Sequence, residues 1–275
     1  MGPADDEVTE QGVFRTVLEG YEAVYDALPT SATFERIWRT HAYGADFPEA
    51  FAHIGFLTLP EAVRMLGLLD VSENDLLVDV ACGAGGPGLW AARQSGASLI
   101  GIDPAPSGLA AARRRARATG LTDRAQFEQG TFERTGLADG VGAAVMSIEA
   151  FQYAPDKSAA LTELFRVLRP GGRVALICFE VDPARAEGLP ALGVDPVSDY
   201  LPLLDAAGFA VEVYEETAGW EQRVYGAFQA MVDSSQALVD EMGERAAAGA
   251  LAEAMITVQV KPYPRRVLAV ARRPA

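Results

Sequence analysis

The chain has 275 residues, enough for one large α/β domain with a cap or for two smaller domains. Its 49% hydrophobic content predicts a buried core and excludes wholesale disorder. A net charge of −15, from 38 acidic and 23 basic residues, sets up a field that repels phosphate backbones and argues against nucleic acid as a bulk partner.

The two cysteines, Cys82 and Cys178, lie in apolar, strand-like surroundings and form neither a disulfide framework nor a zinc spacing. The first residues, Met-Gly-Pro-Ala-Asp-Asp-Glu, are acidic and lack the apolar core of a signal peptide. No apolar run approaches the ~20 residues needed to span a bilayer. These features predict a cytoplasmic protein without a membrane partner.

Residues 5–28 read as an amphipathic helix, with Val13, Phe14, Val17, Leu18, Tyr21, Val24 and Tyr25 at helical spacing and Pro29 as its stop. A second helical segment lies near Phe34, Ile37 and Trp38. A broken stretch through Tyr43, Phe47, Phe51 and Phe56 follows, then a helix over Leu59–Leu69. From there strands and helices alternate, which predicts a parallel sheet with right-handed crossovers. Strands are expected at 75–80, 97–102, 125–129, 142–147 and 173–179. Ser107 is the expected N-cap of the helix after the second strand, and Gly120 follows its end. The run Arg113-Arg114-Arg115-Ala-Arg117 falls on that helix and reads as a solvated face. Leu161, Leu164, Phe165 and Leu168 give the next helix its apolar stripe, which closes in a Leu-Arg-Pro-Gly-Gly turn at 168–172. A helix near 198–207, a strand near 210–216, a mostly helical segment 217–262 and a last strand at 266–271 complete the chain.

The fold class is therefore α/β: a Rossmann-like, doubly wound and mostly parallel seven-stranded sheet. Residues 1–65 form an N-terminal helical cap. Residues 66–275 form the core, with a helical lid inserted at about 217–262 before the last strand. Both additions are expected to close over the strands' C-terminal ends, where such sheets bind ligands.

The most informative stretch is 76–88, Leu-Leu-Val-Asp-Val-Ala-Cys-Gly-Ala-Gly-Gly-Pro-Gly, followed by a second buried strand ending in Asp103. Glycines let the backbone approach a nucleotide, and a carboxylate at the next strand's tip accepts both ribose hydroxyls. The same residues satisfy the dinucleotide fingerprint G-x-G-x-x-G, which alone would suggest an NAD(P)-dependent reductase. A Tyr153–Lys157 pair of the short-chain dehydrogenase kind is also present, but Pro155 between them leaves Tyr153 outside a helix.

Four motifs in order favour another reading. Asp79 lies four residues before the first glycine, Phe127–Phe132 follows strand three, Met146–Tyr153 follows strand four, and Leu-Arg-Pro-Gly-Gly leads into strand five. Together they resemble the class I S-adenosylmethionine (SAM)-dependent methyltransferases, of the ubiquinone-biosynthesis and actinobacterial natural-product small-molecule types. The family usually has glycine where this chain has Ala81, and an acidic residue where it has Thr131.

The resemblance implies SAM as cofactor. It places Ala81, Gly83 and Gly85 along the ribose and methionine moiety, Asp103 on the ribose hydroxyls and Pro104 under the adenine. Thr131 and Phe132 would flank the ring, with Ser147 and Gln152 as further contacts. Asp79 is expected to organise the glycine turn, and Tyr21 and Tyr25 to close over the methionine end. Candidate bases are His53 and Glu149.

Residues 147–153 are also similar to mycolic-acid cyclopropane synthases, but Gln152-Tyr153 replaces the Glu-His that holds their bicarbonate. A metal set from Glu149, Glu180 and Asp182 is not expected, these reading as solvated loop acids. Trp220, Val224, Phe228 and Met231 form a stripe able to wall an apolar acceptor pocket. The expected activity is methyl transfer to an apolar small molecule in specialised metabolism, with oxygen the default acceptor atom and carbon or nitrogen open. A SAM-binding protein that transfers no methyl, such as a cyclase, is the alternative. A homodimer is left open.

Overall fold

Strand β1 (Leu76–Val80) lies inside the sheet between β2 and β4, because two apolar faces and no edge leave its Leu-Leu-Val-Asp-Val run nowhere else to go. The computed structural model describes residues 10–27, 31–43, 51, 55–187 and 195–275, with side chains from residue 18 onward except that of residue 26. The expectations for Pro29, Phe47 and His53 lie outside these residues.

On either side of β1 run β2 (Ser98–Asp103), β3 (Ala125–Gln129), β4 (Gly142–Ile148) and β5 (Leu168–Glu180). These five strands run parallel to one another. Strands β6 (Ala210–Glu216) and β7 (Arg265–Arg272) complete a seven-stranded sheet in the order β3-β2-β1-β4-β5-β7-β6, with β7 antiparallel to both β5 and β6. The order reverses at β1, so its C-terminal tip is the switch point at which such sheets bind ligands.

The two-residue alternation of the strands builds two cores. Leu77, Leu99 and Phe127 pack with α3 (Leu59–Leu69), α4 (Gly86–Ser95) and α5 (Pro106–Ala118). Val78, Ile102 and Val145 face α6 (Lys157–Val167), with Leu161 and Leu164, and Leu204 of α8. Here α7 is the single turn Pro183–Ala186 and α8 spans Leu201–Ala206.

Cap and lid do not pack separately. Helices α1 (Glu10–Ala27) and α2 (Ala32–Ile37), with the π-helical turn Trp38–Tyr43, share one apolar cluster with α9 (Trp220–Asp233), α10 (Ser235–Met242) and α11 (Glu244–Val260). Phe34 stacks on Trp38, Trp38 on Phe56, and Phe56 meets Phe228 edge-on at 5.5 Å, so aromatic rings run from cap to lid without a break. Polar contacts follow the same path. Ser31 caps α2 by accepting from Phe34 N, and its hydroxyl donates to Glu241 of α10 at 2.7 Å.

Two local readings change. The N-cap of α5 is Ala105, with Pro106 as the first helical residue, so Ser107 sits inside the first turn rather than capping it. Proline's fixed φ makes it the better start, and the upstream NH of Ala105 is already taken by Asp103. Leu168–Gly172 is not a free turn but the irregular beginning of β5, whose register shifts against β4 between Gly142 and Ala144.

Arg266 of β7 is fully buried. Its guanidinium donates to Glu149 at 2.7 Å, to Glu61 at 2.9 Å and to the Thr217 hydroxyl at 2.7 Å. Glu61 also receives Arg223 of α9 at 2.7 Å and closes the capping box of α3 through Thr58 N at 2.9 Å. Removing one partner of a buried ion pair costs about 3–5 kcal/mol, because the other charge stays behind uncompensated. Arg266→Met is therefore expected to lower unfolding stability by roughly that amount in urea titrations. A loss below about 1 kcal/mol would show that the network carries no such load.

Candidate active site

A cavity of about 490 Å³ opens at the tips of β1, β2 and β4 beneath cap and lid. One end is built from backbone and short side chains. Beyond β1 the chain turns through Ala81 (φ 59°), Gly83 (φ 51°) and Gly85 (φ 73°) before α4 begins. Ala81 holds the left-handed conformation without glycine's freedom, so this turn carries local strain. At Gly83 the constraint is space: a Cβ there would lie 2.2 Å from the Tyr25 hydroxyl, which α1 lays across the turn.

Asp103, at the tip of β2, is 6% exposed and lines the cavity. Its carboxylate accepts from Gly83 N at 2.7 Å and Ala105 N at 2.8 Å. Each oxygen keeps further acceptor capacity. Burial raises its pKa, and those two backbone bonds offset part of the rise. Asp79 is buried beside it and packs against Gly88, where a Cβ would come within 2.4 Å of Oδ2. Burial first, then Asp103's charge, pushes Asp79 up to about 8. No salt bridge reaches either acid among the described residues. Arg115 of the basic run reaches in to the Ala84 carbonyl, while Arg113 and Arg114 stay exposed.

Of the other expected contacts, Pro104, Thr131 and Phe132 line the same end, Phe132 packed edge-on against Phe151 at 5.3 Å. Gln152 is buried with Nε2 donating to Glu149 O at 2.7 Å and Oε1 without a protein partner, on the cavity wall. Tyr21 lies on the wall as well. Gly85 and Ser147 do not reach the cavity. A Cβ at 85 would meet Ala112 at 2.9 Å and Phe127 at 3.0 Å, so that glycine serves packing between turn and sheet, and Ser147 is fully buried within β4.

The other end is aromatic, walled by Phe34, Trp38, Phe56, Phe179, Phe228 and Met231. The lid stripe divides: Phe228 and Met231 face the cavity, whereas Trp220 and Val224 pack in the core, Trp220 edge-on to Phe179 at 5.9 Å. Glu149 lies between the two ends in a left-handed conformation, φ 53°. One carboxylate oxygen takes Arg266 and the other accepts from Phe56 N. Burial raises its pKa, with Arg266 opposing. The other candidate base, His53, is not among the described residues.

Two residues passed over in the sequence join the wall. Tyr153 stands in the 3₁₀ turn Phe151–Tyr153, ahead of α6 as Pro155 required, and donates to Glu253 of α11 at 2.7 Å. Lys157 turns away, fully buried, to the Ala154 carbonyl at 3.0 Å. No dehydrogenase-like Tyr–Lys arrangement results. Glu180 is held by Tyr214 at 2.7 Å and Asp182 caps α7. No metal-binding cluster of His, Cys, Asp and Glu occurs among the described residues. No helix among them is long and apolar enough to cross a membrane.

Buried carboxylates without a cation suit a ligand that brings hydroxyl donors and a positive charge, and Gln152's unpartnered oxygen asks for a donor as well. The electrostatics give a test on the protein alone. The folded state holds a proton on Asp79 up to about pH 8, whereas an ordinary carboxyl at 3.8 has released it. Stability is thus full below about pH 4 and is lost as pH rises through 8, at a limiting slope of about 1.4 kcal/mol per pH unit. In calorimetric unfolding between pH 5 and 8, Asp79→Asn is expected to fall less steeply than the parent. Equal slopes would remove Asp79 from this role.

Comparison with known proteins bears on the same residues. Residues 78–176 match the methyltransferase domain family model. The methyltransferase GfsG of Streptomyces halstedii is 32% identical over 179 residues, 60% of this chain and 64% of that protein, so the chain spans just under two thirds of it. The 27-O-demethylrifamycin SV methyltransferase of Amycolatopsis mediterranei is 26% identical over 73% of this chain and 75% of its own length. Among solved structures, the [4+2]-cyclase SpnF superposes with a TM-score of 0.71 at 20% identity, covering 97% of each chain, a likeness of fold alone. The glycine turn and Asp103 lie inside the matched region, so this part of the chain is similar to a methyltransferase domain, on a seven-stranded sheet that extends beyond it.

Proposed function

We propose that the protein transfers a methyl group from SAM to an apolar small molecule in specialised metabolism. The observation that carries this reading is the continuity of one cavity, with an acid-and-glycine end at the switch point and an aromatic end under the lid. The relatives from Streptomyces and Amycolatopsis support the metabolic setting.

What the bound cofactor supplies is an electrophilic methyl carbon on a positively charged sulfur. The protein's own residues hold and orient. Asp103 takes the ribose hydroxyls on acceptor positions left by Gly83 N and Ala105 N. Pro104, Thr131 and Phe132 bracket the adenine, and Ala81 and Gly83 let the backbone come close. Tyr21 and Tyr25 offer aromatic faces toward a cation. Gln152 contributes its unpartnered Oε1. Gly85 and Ser147 act behind this wall, by packing the turn and the strand.

We assign Glu149 a positioning role: its carboxylate ties Arg266 of the sheet to Phe56 N, and the guanidinium's charge opposes its protonation. The aromatic end excludes water and orders the acceptor, and such positioning is worth up to about 7–11 kcal/mol of barrier.

Titration calorimetry with SAM and S-adenosylhomocysteine is expected to show binding, and labelled-methyl assays with extracts are expected to yield an apolar product. SAM binding without labelled product from any extract would instead mark a protein that uses the cofactor without transferring methyl. Asp103→Ala is expected to weaken SAM binding at least about tenfold, as loss of hydrogen bonds to a charged group does. Unchanged affinity would contradict the ribose assignment.

A further inference from the structure

Two half-buried glutamates line the cavity, and the protein treats them differently. Glu149 is neutralised by Arg266. Among the described residues Glu253 has no salt bridge and accepts one hydrogen bond, from the Tyr153 hydroxyl at 2.7 Å. It sits on the face of α11 where Gly249, Ala250, Ile256 and Thr257 also line the cavity. The groups facing it from other elements are phenols: Tyr21 of α1, whose ring lies 6.1 Å from that of Tyr153, Tyr153 itself, and Tyr263, stacked at 4.3 Å on Phe179.

A carboxylate set into such a wall costs desolvation that helix packing does not return, since an apolar residue would fill the place better. Burial raises the pKa of Glu253, with the Tyr153 hydroxyl opposing.

We propose that Glu253 is the polar anchor of the acceptor pocket, that it accepts the hydrogen bond of a hydroxyl on an otherwise apolar acceptor, and that it takes that proton. In that step the acceptor's O–H bond breaks, its electron pair stays on the acceptor oxygen, and a new O–H bond forms on Glu253. Tyr153 is a positioning residue that holds the carboxylate toward the cavity. This assignment rests on the methyltransferase reading and narrows its substrate class to hydroxylated apolar molecules.

The test uses the full chain loaded with S-adenosylhomocysteine and two probes of nearly one shape, 2-naphthol and naphthalene, followed by equilibrium fluorescence titration. The parent is expected to prefer 2-naphthol about tenfold or more, the range of a hydrogen bond to a charged acceptor. Glu253→Gln is expected to cut that preference at least fivefold while its affinity for S-adenosylhomocysteine changes less than twofold. Equal affinities for the two probes, no binding of 2-naphthol, or a preference that survives Glu253→Gln would overturn the proposal. Should Glu253→Gln not hold the nucleoside, Tyr153→Phe replaces it as the variant. It is expected to lower the preference threefold or more, and an unchanged preference overturns the assignment. Failure of the parent to bind S-adenosylhomocysteine would count instead against the methyltransferase reading.

Discussion

A guanidinium with no access to water is the constraint around which the site is arranged. Arg266 cannot shed its charge, so the chain must bring anions to it, and it brings them from distant parts of the sequence. Glu61 comes from the start of α3 and Glu149 from the loop after β4, while Arg223 of the lid joins through Glu61. Sheet, cap junction and lid meet at one cluster of charges. Burial works against the charge on Glu61, yet Arg266 and Arg223 outweigh it and hold the acid below its usual range. The left-handed backbone at Glu149 follows from the same demand, because its carboxylate must reach both β7 and Phe56 N.

Against that compensated cluster, the carboxylates at the cavity wall stand out. Asp103 and Glu253 receive hydrogen bonds but no cation, and their pKa values are displaced upward by burial. Ion pairing is available in this protein, as Arg266 shows, and is withheld from these two positions. In the proposed function, the uncompensated acids meet ligands and the compensated ones hold the scaffold.

How much of this was legible in the sequence depends on the range of the interaction concerned. The core strands were readable because a parallel strand buried on both faces must be a continuous apolar run. Asp103 and the glycine turn were readable because the hydrogen bond from Gly83 to Asp103 joins adjacent strands that the run itself identifies. Arg266 was not, since an arginine at the edge of an apolar segment looks like a strand end until its two partners are folded against it. Glu253 was not readable either, since no periodic signal separates it from Glu244. The small residues around it hid the inner face of α11. Ser107 shows the opposite error, a local capping preference overruled by Pro106 and by Asp103's claim on Ala105 N.

Resemblance to known proteins divides along the same line. The matched region, 78–176, contains Asp79, Ala81, Gly83, Asp103, Thr131 and Gln152, which line the cavity. Phe34, Trp38, Phe56, Phe228, Glu253 and Tyr263 all fall outside it. These residues belong to the cap, the lid and the segments joining them to the sheet. A backbone turn and a strand-tip acid tolerate few alternatives, since a fixed ligand constrains them. The aromatic layer is constrained only by the need to close over something apolar, and many combinations of rings satisfy that need at equal packing density. The proposed function therefore draws its cofactor side from the turn and strand tips, and its acceptor side from side chains that cap and lid contribute to one shared core, Glu253 foremost among them.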